Sequence, residues 1–137
     1  MTAALAETIS EAHVFAEKAG LETSVLDSLI EQNYGTYAHS ISRKLIEGVY
    51  LPPKGEKARS DLNLAIKDVG HGIASAKDVG ARLEVAELTM EHLERSREWS
   101  TREGRALDSS AVYGTLRENS GISFETEHVK DRDRRQQ

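Results

Sequence analysis

Residues 60–80, SDLNLAIKDVGHGIASAKDVG, leave this chain few ways to fold. Leu62, Ile66, Val69, Ile73 and Ala76 recur at steps of four and three, which places them on one stripe of a helix, with Val79 extending it. Asp61 stands at the start, where a carboxylate meets the positive end of the helix dipole, and Gly80 follows as a left-handed stop. Gly70 and Gly72 lie inside the helix, where each costs about 1 kcal/mol relative to alanine. Two such residues predict packing glycines, crossed closely by the first long helix. Asn63, Lys67 and His71 fall one turn apart and form a polar strip beside the apolar one, with Asp68 directly after Lys67. That strip is the candidate site.

The same helical period runs through the rest of the chain. Residues 3–19 place Leu5, Ile9, Ala12 and Ala16 on one face, widened by Val14 and Phe15. Thr23 or Ser24 caps a second, short helix carrying Val25, Leu26, Leu29 and Ile30, which Asn33, Tyr34 and Gly35 end as a turn. A third helix is expected over 36–47 with Ile41, Leu45 and Ile46 inward, followed by the loop VYLPPKGEKAR. After the central helix, residues 84–99 carry Val85, Ala86, Leu88, Met90, Leu93 and Trp99, and residues 108–119 carry Val112, Tyr113 and Leu116. With only two prolines and little strand-like alternation, the expected fold is an all-α bundle of about six helices spanning 1–124. The final stretch, ETEHVKDRDRRQQ, has almost nothing to bury, so 125–137 are expected to be a disordered tail.

Charge and composition narrow the function classes. A net charge of −5 and a pI near 5.6 argue against a nucleic-acid footprint. No run approaches the roughly 20 apolar residues of a membrane span, and Glu7 and Glu11 interrupt any signal-peptide core. The absence of cysteine fits a reducing compartment, so a cytoplasmic location is expected, a mitochondrial address being the other option. His13, His39, His92 and His128 show no metal-ligand spacing, so no metal is expected. Ser40 and Ser42 lack a recognisable His–Asp arrangement, and no catalytic residue is assigned.

Three phrases carry a resemblance. SEAHVFAEKAGLETSVLDSLIEQN, RKLIEGVYLPP and LNLAIKDVGHGIASAKDVG, in this order and spacing over residues 10–124, resemble the C-terminal helical domain of the β-hydroxyacid dehydrogenases. This is the family of 3-hydroxyisobutyrate dehydrogenase, tartronate semialdehyde reductase and glyoxylate reductase, related to 6-phosphogluconate dehydrogenase. The resemblance implies an NAD- or NADP-dependent enzyme that moves a hydride to or from a short 3-hydroxy acid or its semialdehyde, with a homodimer built through its helices. It implies that Lys67 reaches toward the nicotinamide end of the cofactor and that Asp68 holds that lysine or a neighbouring helix end. Asn63 and His71 would share the substrate pocket. Many relatives carry an aromatic residue where this chain has Ser60.

The family also needs a Rossmann domain, and no strand followed by GxGxxG occurs here. Its catalytic lysine, in a Lys-x-x-Asn motif near the start of the interdomain helix, is expected just ahead of Met1, since Lys18 lies too far along. The sequence is therefore expected to be inactive alone. The alternative is a stand-alone helical dimerisation or interaction domain derived from such an enzyme. Without the resemblance, Lys67 and Asp68 read as a charged pair on a solvated face.

Overall fold

A computed structural model of the chain describes residues 1–136. Six helices are present among the described residues, with a single isolated bridge between Asp61 and Asp108 and no strand, so the all-α expectation holds. They are α1 (Thr2–Lys18), α2 (Thr23–Ile46), α3 (Leu62–Asp78), α4 (Glu84–Glu103), α5 (Val112–Asn119) and α6 (Glu127–Arg135). None is long and apolar enough to cross a membrane.

Helix α1 is the centre of the bundle, packed by α2, α5 and α4. It is therefore buried on a broad belt that takes in Ala6, Glu7, Ile9, Ser10, His13, Val14 and Ala16 rather than one apolar stripe. Phe15, assigned to that face, points out and is 72% exposed. In α2 the expected break is real: Gly35 is non-helical and kinks the element into two helical stretches. Helical hydrogen bonding resumes across Gly35, whose φ of 75° and ψ of −175° are open to glycine at little cost. Neither Thr23 nor Ser24 caps this helix; Glu22 occupies the cap position and makes no side-chain bond there.

Helix α3 follows its sequence signature at its start. The Asp61 carboxylate accepts a hydrogen bond from the Asn63 amide at 2.7 Å, the N-cap bond that satisfies one free donor of the first turn. Only Leu62 is fully buried, while Ile66, Val69, Ile73 and Ala76 are half-buried and Val79 is exposed. The partner of α3 is α4, not the first helix. A Cβ at Gly70 would make an ordinary 3.5 Å contact with Met90 of α4, and one at Gly72 would meet nothing within 4 Å, so close packing by α1 explains neither glycine.

The core face of α4 also departs from the apolar reading. Leu93 and Trp99 are buried as expected, but Val85 and Leu88 are exposed, and Thr89, His92 and Ser96 complete the inner face. These polar groups find partners. Ser96 Oγ lies 2.7 Å from Thr115 Oγ1 and 2.9 Å from the His92 carbonyl, and His92 Nδ1 lies 2.5 Å from Glu7 Oε1. Beside them an aromatic cluster fills the bundle: Trp99 stacks on Phe124 at 3.9 Å, and Tyr50 meets Tyr113 edge-on at 5.2 Å. Burial pushes the Tyr50 hydroxyl up to about 12, so it remains a donor and bonds the Phe124 carbonyl at 2.9 Å.

Residues 125–137 are not a disordered tail over their described part. Thr126 caps α6, and Val129 inserts beneath the end of α2, fully buried. A Cβ at Gly48 would lie 2.7 Å from Val129 Cγ2, so glycine is required there for space as well as for its φ of 71°. Arg132 donates to the Gly48 and Leu51 carbonyls at 3.2 and 2.9 Å, and Asp133 pairs with Arg105 at 2.8 Å. Two of the charges that suggested solvation, Arg132 and Asp133, are used in docking.

Candidate functional site

The start of α3 is pinned to the segment leading into α5. Leu62 N–H donates to the Leu107 carbonyl at 3.1 Å, and Ser109 N–H donates to the Ser60 carbonyl at 2.7 Å. The fully buried Asp108 carboxylate gathers the Ser60 and Ser110 amides at 3.0 and 3.1 Å and the Ser110 hydroxyl at 2.7 Å. This side chain-to-backbone turn was not read from the sequence, although Asp-Ser-Ser ahead of an apolar run is its ordinary signal. The result is a fixed corner in which Ser60 and Ser109 sit side by side.

From that corner a groove of about 490 Å³ runs between α3 and the beginning of α1, within the size range of small-ligand sites. Helix α3 contributes Leu64, Ala65, Asp68, Val69 and Gly72. The facing side is formed by the small residues Ala3, Ala4 and Ala6 of α1, by Ile41 and Lys44 of α2 and by Leu83 and Ala86 at the start of α4. The bare backbone of Gly72 widens it, a use for that glycine unrelated to helix crossing.

The four residues singled out from the sequence divide around this groove. Asp68 lines it. Lys67 stands beside it, its Nζ 3.3 Å from Asp68 Oδ1, with the two side chains 56% and 71% exposed, so as an ion pair they contribute at most about 1 kcal/mol. Asn63 and His71 lie on the solvated side of α3 and do not line the groove. Lys44, Ser109 and Ser110 do line it, and no local spacing in the sequence could have joined residues 44, 60 and 109.

A second polar cluster, also unread from the sequence, joins α1 to both halves of α2. Ser42 Oγ donates to Asp27 Oδ1 at 2.6 Å, His13 Nε2 lies 2.8 Å from Ser42 Oγ, and His39 Nε2 lies 3.1 Å from Asp27 Oδ2. The structure thus unites a serine, a histidine and an aspartate, but in an order that gives no nucleophile. Because the one Ser42 proton goes to Asp27, His13 must donate to Ser42 and cannot act as its base. The cluster is structural.

Burial pushes the His13 imidazole below its ordinary value, and the Asp27 charge does not reverse this. Burial would raise the Asp27 carboxyl, but bonds from Ser42 and His39 and the charges of His39 and Arg43 outweigh it and hold the group low. A lowered histidine leaves the unfolded chain binding the proton first. Stability from neutral His13 is therefore complete above about pH 6.5 and is lost as pH falls toward the folded value. The stability difference between the wild type and His13→Gln should shrink on acidification from neutral pH, with a slope no steeper than about 1.4 kcal/mol per pH unit. Urea titrations of both proteins across that range check it, and a pH-independent difference would refute it.

Comparison with known proteins gives the chain's relatives. Residues 1–116 match a family described as the NAD-binding domain of NADP-dependent 3-hydroxyisobutyrate dehydrogenase. An NADH-dependent oxidoreductase of Aspergillus ustus, ucdB, is 32% identical over 121 residues, which covers 88% of this chain and 40% of that protein. The uncharacterized oxidoreductase YfjR of Bacillus subtilis (strain 168) is 32% identical over 96 residues, covering 64% of this chain and 29% of its own. The chain thus spans less than half the length of either relative.

Proposed function

The chain belongs to the family of NAD-binding helical domains of 3-hydroxyisobutyrate dehydrogenase, and on that premise we propose that it serves as the C-terminal half of an enzyme moving a hydride between NAD or NADP and a short 3-hydroxy acid or its semialdehyde. The observation that carries this reading is the groove, bordered at once by the first residues of α1 and by the Lys67–Asp68 turn of α3. The resemblance assigns the family's chemistry to those two elements.

Bound nicotinamide would supply the hydride acceptor or donor. The residues here fit a flat, mostly apolar ring on one side, through Leu64, Ala65 and Val69 of α3. Lys67 is suited to a mobile contact, since its only ion pair is the exposed one with Asp68 and its flexible stem carries three donors. Asp68 keeps that ammonium at the rim. On this reading the pyrophosphate is held by the glycine-rich turn of a Rossmann domain, which completes the site, and the chain is inactive alone.

The apolar side chains left exposed on α3 and α4, among them Leu64, Val85 and Leu88, would be covered by that domain or by a second copy of the chain. The same surface favours the second reading, a stand-alone dimerisation domain. Cofactor titration separates the two. The isolated chain should bind neither NADH nor NADPH, whereas a fusion to a family Rossmann domain carrying the catalytic lysine should oxidise NADPH or NADH with a small semialdehyde. In that fusion Lys67→Met should lower kcat/KM by roughly tenfold, the loss of one charge-assisted contact. Turnover indifferent to Lys67 would sink the cofactor reading.

A further inference from the structure

Lys44 and Asp68 are the only charged side chains among the residues lining the groove. Asp68 is occupied by Lys67. Lys44 is different: its neighbour Arg43 pairs with both Asp27 and Glu47, but Lys44, half-buried in the last turn of α2, has no ion pair or side-chain hydrogen bond among the described residues. A cation in a last helical turn favours the helix dipole, yet that role needs no placement in a groove. The hydroxyls lining the groove extend the pattern. Ser110 is committed to Asp108, whereas Ser60 Oγ makes no hydrogen bond among the described residues and Ser109 Oγ reaches Asp108 only at 3.4 Å. The backbone bond between Ser60 and Ser109 holds these two side by side.

The groove thus offers one uncommitted side-chain ammonium and two under-used hydroxyls, against walls made of Ile41, Leu64, Val69 and Leu83. We infer that Lys44, with Ser60 and Ser109, binds the carboxylate of a small acid whose short apolar body lies against Ile41 and Leu83. One cation and two hydroxyl donors match a singly charged carboxylate, which accepts through two oxygens. The inference deepens the proposed function and rests on it for taking the groove as the substrate side. It assigns a specificity-determining role to Lys44, a residue outside the Lys67–Asp68 pair.

The test uses the 137-residue chain itself, followed by two-dimensional amide NMR during titration with 3-hydroxyisobutyrate, with its uncharged amide and with inorganic phosphate. The carboxylate should move the amide signals of Lys44, Ser60 and Ser109 at millimolar concentrations. Lys44→Gln should weaken that binding about tenfold while Lys44→Arg retains most of it, as the loss and retention of one charge-assisted bond require. The spectra also report whether each variant is folded, and Ser109→Ala gives a second, milder variant. Equal response to the amide, response to phosphate in place of the carboxylate, no response at all, or an unchanged Kd in Lys44→Gln would each overturn the inference. Failure of the cofactor reading appears elsewhere, as a fusion whose turnover ignores Lys67 while the isolated chain still takes the carboxylate through Lys44.

Discussion

Gly114→Ala is expected to destabilise the chain by about 2–3 kcal/mol, although the same exchange in an open helix adds about 1 kcal/mol of stability. Gly114 lies in α5, and a Cβ there would fall 2.3, 2.4 and 2.5 Å from Cζ, Cε1 and Cε2 of Phe124. The ring cannot retreat. It is stacked on Trp99 at 3.9 Å with only 10° between the planes, Tyr50 flanks it at 6.1 Å, and the Phe124 carbonyl is tied to the Tyr50 hydroxyl. Relief therefore requires the backbone of α5 to move away from α1 and α4, its two packing partners. Denaturant titration measures the loss, and adding Phe124→Leu to Gly114→Ala should recover part of it by shortening the side chain that collides. Gly72→Ala is the control, since no atom lies within 4 Å of the added methyl and the helix-propensity gain should appear undiminished. A neutral or stabilising Gly114→Ala would show that the aromatic stack yields.

What could be read in advance follows a physical division. The four-three spacing of α3, its Asp61 cap and the break at Gly35 are local properties, set by neighbours within a turn, and they were legible. The inner face of α4 was not, because His92 and Ser96 look like surface until their partners Glu7, Ala111 and Thr115 are brought beside them, and Thr89 turns its hydroxyl back to the Val85 carbonyl of its own helix. Counting only apolar residues then shifts the predicted face toward Val85 and Leu88, which are exposed. The same limit applies to the site. Asp68 was found because it belongs to the conspicuous helix, whereas Lys44 and Ser109 acquire a common purpose only through the Ser60–Ser109 backbone bond and the packing of α2 against α1. Helix α6 was hidden for a related reason. Its single apolar anchor, Val129, is too little for a periodic signal, and the Arg132 that docks it reaches the distant Gly48 and Leu51 carbonyls.

That hidden helix carries the other large effect. Arg105→Met is expected to cost about 3 kcal/mol and to free α6 from the bundle. The Arg105 guanidinium, only 8% exposed, pairs with Asp133 Oδ2 at 2.8 Å and Glu125 Oε1 at 3.0 Å and donates to the Pro52 carbonyl at 2.7 Å. Methionine fills the space of the stem but leaves the Pro52 carbonyl without this donor and the 9%-exposed Asp133 with Arg132 alone. Removing one member of a buried pair is costly because the remaining charge keeps its desolvation penalty; the partial exposure of Glu125 and the retained Arg132 contact place the expected loss toward the lower end of that range. Since the pair is sheltered, added salt should restore little of the difference. Hydrogen exchange locates the damage: amides of residues 127–135 should lose protection first, followed by residues 48–53, whose carbonyls α6 holds through Arg132. The loop that follows runs directly into Ser60, so loosening at this clamp should also blunt the amide response of Ser60 to a bound carboxylate. Unchanged protection of Val129 and Lys130 in Arg105→Met would mean that Val129 and Arg132 alone hold the helix in place.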